Sequence, residues 1–464
     1  MIKTLGLSKI FDLLKPDPYV KEIRDSEAVE KNYKYWRMRI FYSMFVGYAF
    51  FYLTRKSFTF AMPAMIQDLG FAKSELGLLA TILSLAYGLS KFVSGILADR
   101  SNPRYFMAFA LILTGVLNIL FGMSSSLMWL AIFWGLNGFF QGGGWPPCAR
   151  YLTHWYSQNE RGRWWSVWNA SHNIGGAAIP IFATFLAQHW GWRYAMFIPG
   201  VMCIFMGLLL INRLRDTPQS LGLPSIEKFR NDYPEGQRRD QVERELSSKE
   251  ILFKYVLNNP FIWILAISNF FLYIVRIAVY DWSALFLVET KAYSQLGSGT
   301  VVGWFEIGGI AGSLLAGWMS DCIFRGRRGP VNVLFSIAII LSIMAFRMVP
   351  PGHPWLDTVS MFMVGVWVFG PQMLIGVAAA ELAYKKAAAT SSGFTGLFGY
   401  IGSAMAGYPL GKICQDWGWD GFFMAVTGCA IASFALLIPL WSLAARGTQD
   451  TEAELESDAE PSFA

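Results

Sequence analysis

Arg55 and Lys56 lie about two-thirds along the apolar segment 39–66, and Arg276 lies inside the apolar segment 260–288. A charge at the middle of a membrane span costs about 2.5–3.5 kcal/mol on insertion scales, so selection for stability alone would remove it. A guanidinium stays protonated and offers a planar fork that makes two charge-assisted bonds to an anion such as phosphate. Two such forks would nearly neutralise a phosphate monoester, which carries about −1.5 to −2 charges at pH 7. These arginines therefore read as an anion site. The competing reading is an internal ion pair, Arg276 with Asp281 or with Glu306.

Three further residues could join that chemistry. Lys56 follows Arg55, so on a helix it points about 100° away and either lines a cavity or meets a neighbouring helix. Lys91 lies inside the segment 75–99 but near its end, where a lysine can snorkel to water. His172 stands in the small-residue stretch Asn169-Ala-Ser-His172-Asn-Ile-Gly-Gly of the segment 163–187. A lone membrane histidine is often an interior hydrogen-bonding group, yet imidazole titrates near neutrality and can meet a phosphate in either charge state.

The elements that position these groups are membrane helices. Of the 464 residues, 54% are hydrophobic and 15% charged, against about a quarter charged in soluble domains. The apolar residues fall in blocks of the roughly 20 residues that cross a bilayer core, and hydropathy places about twelve spans along the chain. Residues before Ile40 are polar and more membrane sequence follows the first block, so no cleavable signal peptide is expected. The net charge of +6 is interleaved with the spans rather than gathered in one patch, which argues against nucleic acid. Five cysteines show no paired C-x-x-C spacing and read as small buried hydrophobes. No metal triad, activated nucleophile or phosphate-binding P-loop accompanies them, so neither an enzyme, a cofactor protein nor a primary pump is expected.

Lysine and arginine are dense in alternate loops, which by the positive-inside rule puts both termini and the central linker in the cytoplasm. The expected organisation is a tail over 1–38, a six-helix bundle over 39–212, a charged semi-flexible linker over 213–258, a second bundle over 259–445, and a disordered acidic tail over 446–464. The bundles are repeats. Gly95-x-x-x-Asp99-Arg100, with Arg104 after it, closes the second span, and Gly317-x-x-x-Asp321 closes the eighth, 222 residues later. The same offset carries Arg55 to within one residue of Arg276, and carriers built from repeats hold substrate between them. The glycines are expected to permit close helix approach, and the aspartates to pair with a basic residue of the loop or the other half, forming a cytoplasmic gate of Gly95, Asp99, Arg100, Arg104, Gly317 and Asp321.

The duplicated loop motif resembles the major facilitator superfamily. Tyr52-Leu-Thr-Arg55-Lys56-Ser-Phe, Tyr87-Gly-Leu-Ser-Lys91, Asn169-Ala-Ser-His172-Asn173, and Val275-Arg276 with Asp281-Trp282 are similar to its organophosphate:phosphate antiporter family, over nearly the whole chain. Gln141-Gly-Gly-Gly-Trp145-Pro-Pro-Cys148 and Phe369-Gly-Pro371 narrow the resemblance to the hexose-phosphate branch. The resemblance implies an all-α membrane protein of two pseudo-symmetric six-helix bundles. It implies phosphate on Arg55 and Arg276 and a ligand role for His172. Tyr52, Tyr87, Asn137, Gln141 and Asn169 would reach sugar hydroxyls, and Trp134, Trp145 or Trp282 could stack on the sugar ring, though each could equally be packing.

The implied activity is exchange of a hexose 6-phosphate, glucose 6-phosphate first among them, for inorganic phosphate across a bacterial inner membrane. The rival is a receptor in which the same site senses external sugar phosphate and reports to a membrane histidine kinase. A weaker third reading is a proton-coupled carrier of another anion. Where transporting members carry an aspartate and a lysine in the eleventh span, this chain has Ser391-Ser-Gly-Phe-Thr395, which leans toward the receptor-like members.

Overall fold

In the computed structural model, residues 14–231, 253, 256–382 and 388–442 are described, without the side chains of 91–93, 95, 96, 98–100, 158, 159, 161–163, 166, 380 and 388–390. The linker beyond residue 231, the acidic tail, and the side chains of Lys91, Gly95, Asp99 and Arg100 therefore lie outside the described residues. The described chain is helical, without a strand.

Two compact units emerge. Unit 1 comprises residues 1–71, 82–242 and 293–303, and unit 2 comprises 72–81, 243–292 and 304–464. The chain opens with α1 (Ser26–Leu69), α2 (Lys73–Arg100), α3 (Pro103–Met123), α4 (Leu127–Gln141), α5 (Trp145–Trp155), α6 (Gln158–Trp190), α7 (Trp192–Arg213) and the short α8 (Ile226–Arg230). It continues with α9 (Pro260–Lys291), α10 (Gln295–Trp318), α11 (Arg328–Met348), α12 (Pro354–Glu381), α13 (Ala388–Met405) and α14 (Tyr408–Leu437). α4 and α5 form one span interrupted at Gly142–Gly144, and α14 is bent at Gly418, where φ is 66°. With α13 and the start of α14 taken as one span, the described helices make twelve.

Local chemistry sets the ends. Asp25 caps α1 by accepting from the Glu27 amide, and Gly70 stops it in the left-handed region. Asn102 and Asn259 cap α3 and α9, each followed by the proline that suits a first helical turn. Three glycines and then Pro146-Pro147 end α4 and begin α5. α1 runs well ahead of the expected span, because residues 26–38 continue the helix outward with Tyr33 and Arg37 buried on its inner face.

The segment after α7 is ordered where a semi-flexible linker was expected. Asp216 accepts from the Asp17 amide at 3.0 Å and from Arg150 at 3.0 Å, and its carbonyl takes the Trp155 indole N–H at 3.1 Å. The amides of Val20 and Ile23 donate to the carbonyls of Gln219 and Gly222. Residues 14–25 thus run along 216–222 as a strap on unit 1. Burial pushes the Asp216 carboxyl up from its ordinary range, and Arg150 opposes that rise.

In unit 2, the Lys291 ammonium at the end of α9 lies 2.5 Å from Asp357 of α12, with both side chains almost wholly buried. The same ammonium donates to the Phe346 carbonyl at 3.1 Å. Residues 72–81 also pack in this unit, with Lys73 paired to Glu289 at 2.6 Å and the Thr81 hydroxyl donating to the Ala404 carbonyl at 2.7 Å.

Helix crossings in a membrane depend on small residues. At the α10–α12 crossing a Cβ on Gly312 would collide with the Val366 carbonyl. At Gly317 it would meet only the flexible end of Met373, at 3.7 Å, an ordinary contact. The close approach expected of the Gly317 motif is therefore made by Gly312, one turn and a half earlier. Gly312→Ala should cost about 1–3 kcal/mol through overpacking and lower the apparent melting temperature of detergent-purified protein. Gly317→Ala should leave it unchanged or slightly raised, since alanine is the better helix former. Equal losses in both variants would contradict the crossing described here.

Candidate anion site

In unit 1, Tyr48, Tyr52 and Arg55 recur on one face of α1. The Arg55 guanidinium carbon sits 4.6 Å over the Tyr52 ring and 4.4 Å over the Tyr87 ring of α2. Its Nε donates to Gln141 Oε1 at 3.1 Å. Gln141, the last residue of α4, donates in turn to the Thr54 hydroxyl at 3.1 Å and to Asn137 Oδ1 at 3.3 Å. The Asn137 amide donates to the Thr54 carbonyl at 2.9 Å. Arg55 is thus buried, stacked on two phenol rings and aimed by a chain of amides.

The remaining expected ligands of this unit sit around that core. The His172 ring, half-buried on α6, lies 6.0 Å from the Tyr52 ring, and Asn169 is exposed one turn earlier on the same helix. Lys56 is half-buried beside Arg55. Asn137 and Gln141 are almost inaccessible and bond protein groups, so they support Arg55 from behind. Lys91 belongs to α2, with its side chain outside the described residues.

In unit 2 the same arrangement recurs. Arg276 of α9 has its guanidinium carbon 5.8 Å over the Tyr273 ring and 4.6 Å over the Phe369 ring of α12. Gly309 of α10 makes room for that ring, because a Cβ there would stand 2.6 Å from it. Glu306 of α10 places a carboxylate oxygen 3.8 Å from Arg276, close enough to pair electrostatically but beyond hydrogen-bond length, with side chains only 12% and 3% exposed. The ion-pair partner considered from the sequence is therefore present. Trp282 is fully buried in unit 2, where its indole donates to the Ala406 carbonyl at 3.0 Å.

Tyr273, Phe369 and Gly309 were not anticipated as parts of the site. A signal existed: Tyr52-x-x-Arg55 returns as Tyr273-x-x-Arg276 at a single offset. Stacking uses the faces of a guanidinium, while its N–H edge is what bonds phosphate. Each unit therefore presents a largely buried guanidinium held at its faces. Among the described residues, no group of three His, Cys, Asp or Glu side chains could hold a metal ion.

Two of the expected gate residues, Arg104 and Asp321, have local partners. Arg104 donates to the Ile211 carbonyl at 2.5 Å. Asp321 lies in a π-helical turn, Met319–Ile323, and pairs with Arg328 at 2.5 Å; Arg328 also reaches Glu381 at 2.9 Å. This network joins the ends of α10, α11 and α12 within unit 2.

Repeated helical spans, with a largely buried arginine in each unit, define a polytopic helical membrane fold. The model of the Major Facilitator Superfamily matches residues 44–407, and the chain belongs to that family. It is 58% identical over 444 residues to the "Probable hexose phosphate transport protein" of Chlamydia trachomatis, covering 94% of this chain and 97% of that one. It is 48% identical to the "Membrane sensor protein UhpC" of Escherichia coli, covering 89% and 94%. It is 34% identical to the "Hexose-6-phosphate:phosphate antiporter" of Salmonella typhimurium, covering 86% and 89%. Among solved structures, a bacterial homolog of the human lysosomal transporter Spinster shares the fold, with a TM-score of 0.68 at 16% identity over 92% of this chain and 99% of that one. The protein is an all-α integral membrane protein of the major facilitator fold.

The amide chain behind Arg55 gives a direct test. Gln141→Leu removes the acceptor for Arg55 Nε and the donor to Asn137 Oδ1. A buried donor or acceptor left unsatisfied costs about 1–3 kcal/mol, so the variant should melt earlier than the parent, and Gln141→Glu should fall less. Unchanged melting of Gln141→Leu would show that the chain does not hold the arginine.

Proposed function

We propose that this protein is a secondary transporter that exchanges a hexose 6-phosphate, glucose 6-phosphate in the first instance, for inorganic phosphate by alternating access. The observation that carries the reading is the repeated motif: Arg55 on Tyr52 and Tyr87, Arg276 on Tyr273 and Phe369. Arg55 and Arg276 are proposed as phosphate ligands. Lys56, Lys91 and His172 would supply further positive or hydrogen-bonding groups, and Tyr52 and Asn169 would reach the sugar. Asn137 and Gln141 would act by aiming Arg55. The similarity to hexose-phosphate and organophosphate relatives supports the substrate class, and the antiporter relative supports exchange. A bacterial inner membrane with both termini cytoplasmic is the proposed location. Gly95, Asp99, Arg100 and Arg104, with Gly317 and Asp321, are proposed as the cytoplasmic gate rather than as ligands.

Exchange must accept both anions at one site. Proteoliposomes loaded with inorganic phosphate should take up glucose 6-phosphate, and external phosphate should compete. The sensor relative and the uncharged stretch Ser391–Thr395 favour a second reading, in which the protein binds external hexose phosphate and signals to a membrane histidine kinase. Binding without uptake would favour that reading, and uptake that follows a pH gradient without counter-phosphate would favour a proton-coupled carrier.

The arginines can be tested apart from transport. Lysine keeps the charge and loses the fork, so Arg55→Lys and Arg276→Lys should each weaken ligand binding by roughly ten- to a hundredfold, corresponding to about 1.5–3 kcal/mol. If both act on one anion, the double variant should cost less than the sum of the singles. Near-parental affinity in both single variants, measured on folded protein, would make them structural ion pairs and remove the proposal's basis.

A further inference from the structure

Four arginines gather at one end of unit 1, the end that the lysine and arginine distribution assigns to the cytoplasm. Arg39 of α1 donates to the side chain and carbonyl of Asn212 at 3.0 and 3.2 Å. Arg104 of α3 donates to Ile211, Arg213 to the Tyr42 hydroxyl at 2.8 Å, and Arg215 to the carbonyls of Asn212 and Leu214 at 2.9 and 2.7 Å. All these acceptors are neutral, and among the described residues none of the four arginines forms an ion pair. The Arg215 guanidinium is held below its ordinary range by burial, then by repulsion from Arg104 and Arg39, with Asp17 as the carboxylate that opposes this.

The cluster is framed by aromatic residues of the kind that mark a membrane interface. Trp36 lies under both Arg39 and Arg215, each 5.0 Å from its ring, and Tyr105 lies 4.9 Å under Arg104. Tyr35 and Tyr42 are largely exposed beside them. Beside the first turns of α3 lies an apolar crevice of about 450 Å³, lined by Leu97, Phe106, Phe109, Leu113, Phe139 and Phe140 among others. Among the described residues Ser94 is the one polar side chain in its lining. Two contacts join crevice and cluster. The Tyr105 ring stacks on Phe109 at 6.1 Å, and Leu14, at the mouth, accepts from the amide of Asn102, two residues before Arg104.

We infer that this end of unit 1 is a binding site for an anionic phospholipid, its phosphate on Arg104 and Arg215 with Arg39 and Arg213 behind them, and one acyl chain in the crevice beside α3. Among the described residues the crevice offers the hydroxyls of a sugar phosphate one polar side chain, Ser94, whereas its apolar lining suits an acyl chain. An anionic headgroup fits, because basic pockets between helices on the cytoplasmic face attract acidic lipids. The site does not include Arg55; Arg104 is shared with the proposed gate, so the test reads lipid retention and not transport.

Native mass spectrometry of the full-length protein, equilibrated with equal amounts of phosphatidylglycerol and phosphatidylcholine of the same chains, tests it. The anionic lipid should be retained about tenfold over the zwitterionic one, and millimolar inorganic phosphate or glycerol phosphate should not displace it. Arg104→Gln with Arg215→Gln should bring the two lipids to near parity, and Phe109→Ser should lower retention of both. Arg104 also ties α3 to α7, so Arg215→Gln carries the test alone if the pair fails to fold, with a several-fold loss expected. Equal retention of both lipids by the parent, unchanged preference in the arginine variants, or displacement by inorganic phosphate would overturn the inference, the last by showing a soluble-anion site.

Discussion

An arginine inside a membrane span has given up its water, and something must replace that water without cancelling the reason for the charge. A carboxylate in contact would neutralise the guanidinium and close it to a ligand. Aromatic faces stabilise it by roughly 0.5–2 kcal/mol or more per contact when desolvated and leave its edge chemistry intact. Arg55 has two such faces and Arg276 has two. Much of the surrounding architecture follows from supplying them. α2 must bring Tyr87 beside α1, and α12 must bring Phe369 beside α9, which is possible because Gly309 leaves the ring its place.

The two arginines differ in the polar groups beside them. Arg55 is oriented by neutral amides through Gln141, whereas Arg276 feels the carboxylate of Glu306 at 3.8 Å. A neutral acceptor fixes direction, and a carboxylate at 3.8 Å offsets part of the Arg276 charge without a hydrogen bond.

Much of this was legible in the sequence because hydrophobicity and charge are written there directly. Apolar blocks gave the helices to within a few residues over most of the chain, and the cost of membrane charge singled out Arg55 and Arg276. What escaped was cooperative. Tyr273 and Phe369 look like ordinary membrane aromatics until Arg276 is seen over them, and the repeated Tyr-x-x-Arg spacing was the available clue. The stretch 213–231 looked solvated because it is charged, yet Asp216 is buried by Arg150, Trp155 and a strap from residues 14–25 that lies about 200 positions away. Gly317 drew attention through its motif, while the tight crossing belongs to Gly312, which has no motif around it.

Lys291, just beyond the expected apolar segment 260–288, is closed off against Asp357 with almost no exposure. The two residues stand 66 positions apart, on α9 and α12, with two helices made between them. During synthesis the lysine emerges first and must wait at the membrane surface until α12 arrives with its carboxylate. The buried, paired state of Lys291 therefore exists only once α12 is in place, and a chain stopped before α12 would lack the carboxylate that Lys291 meets.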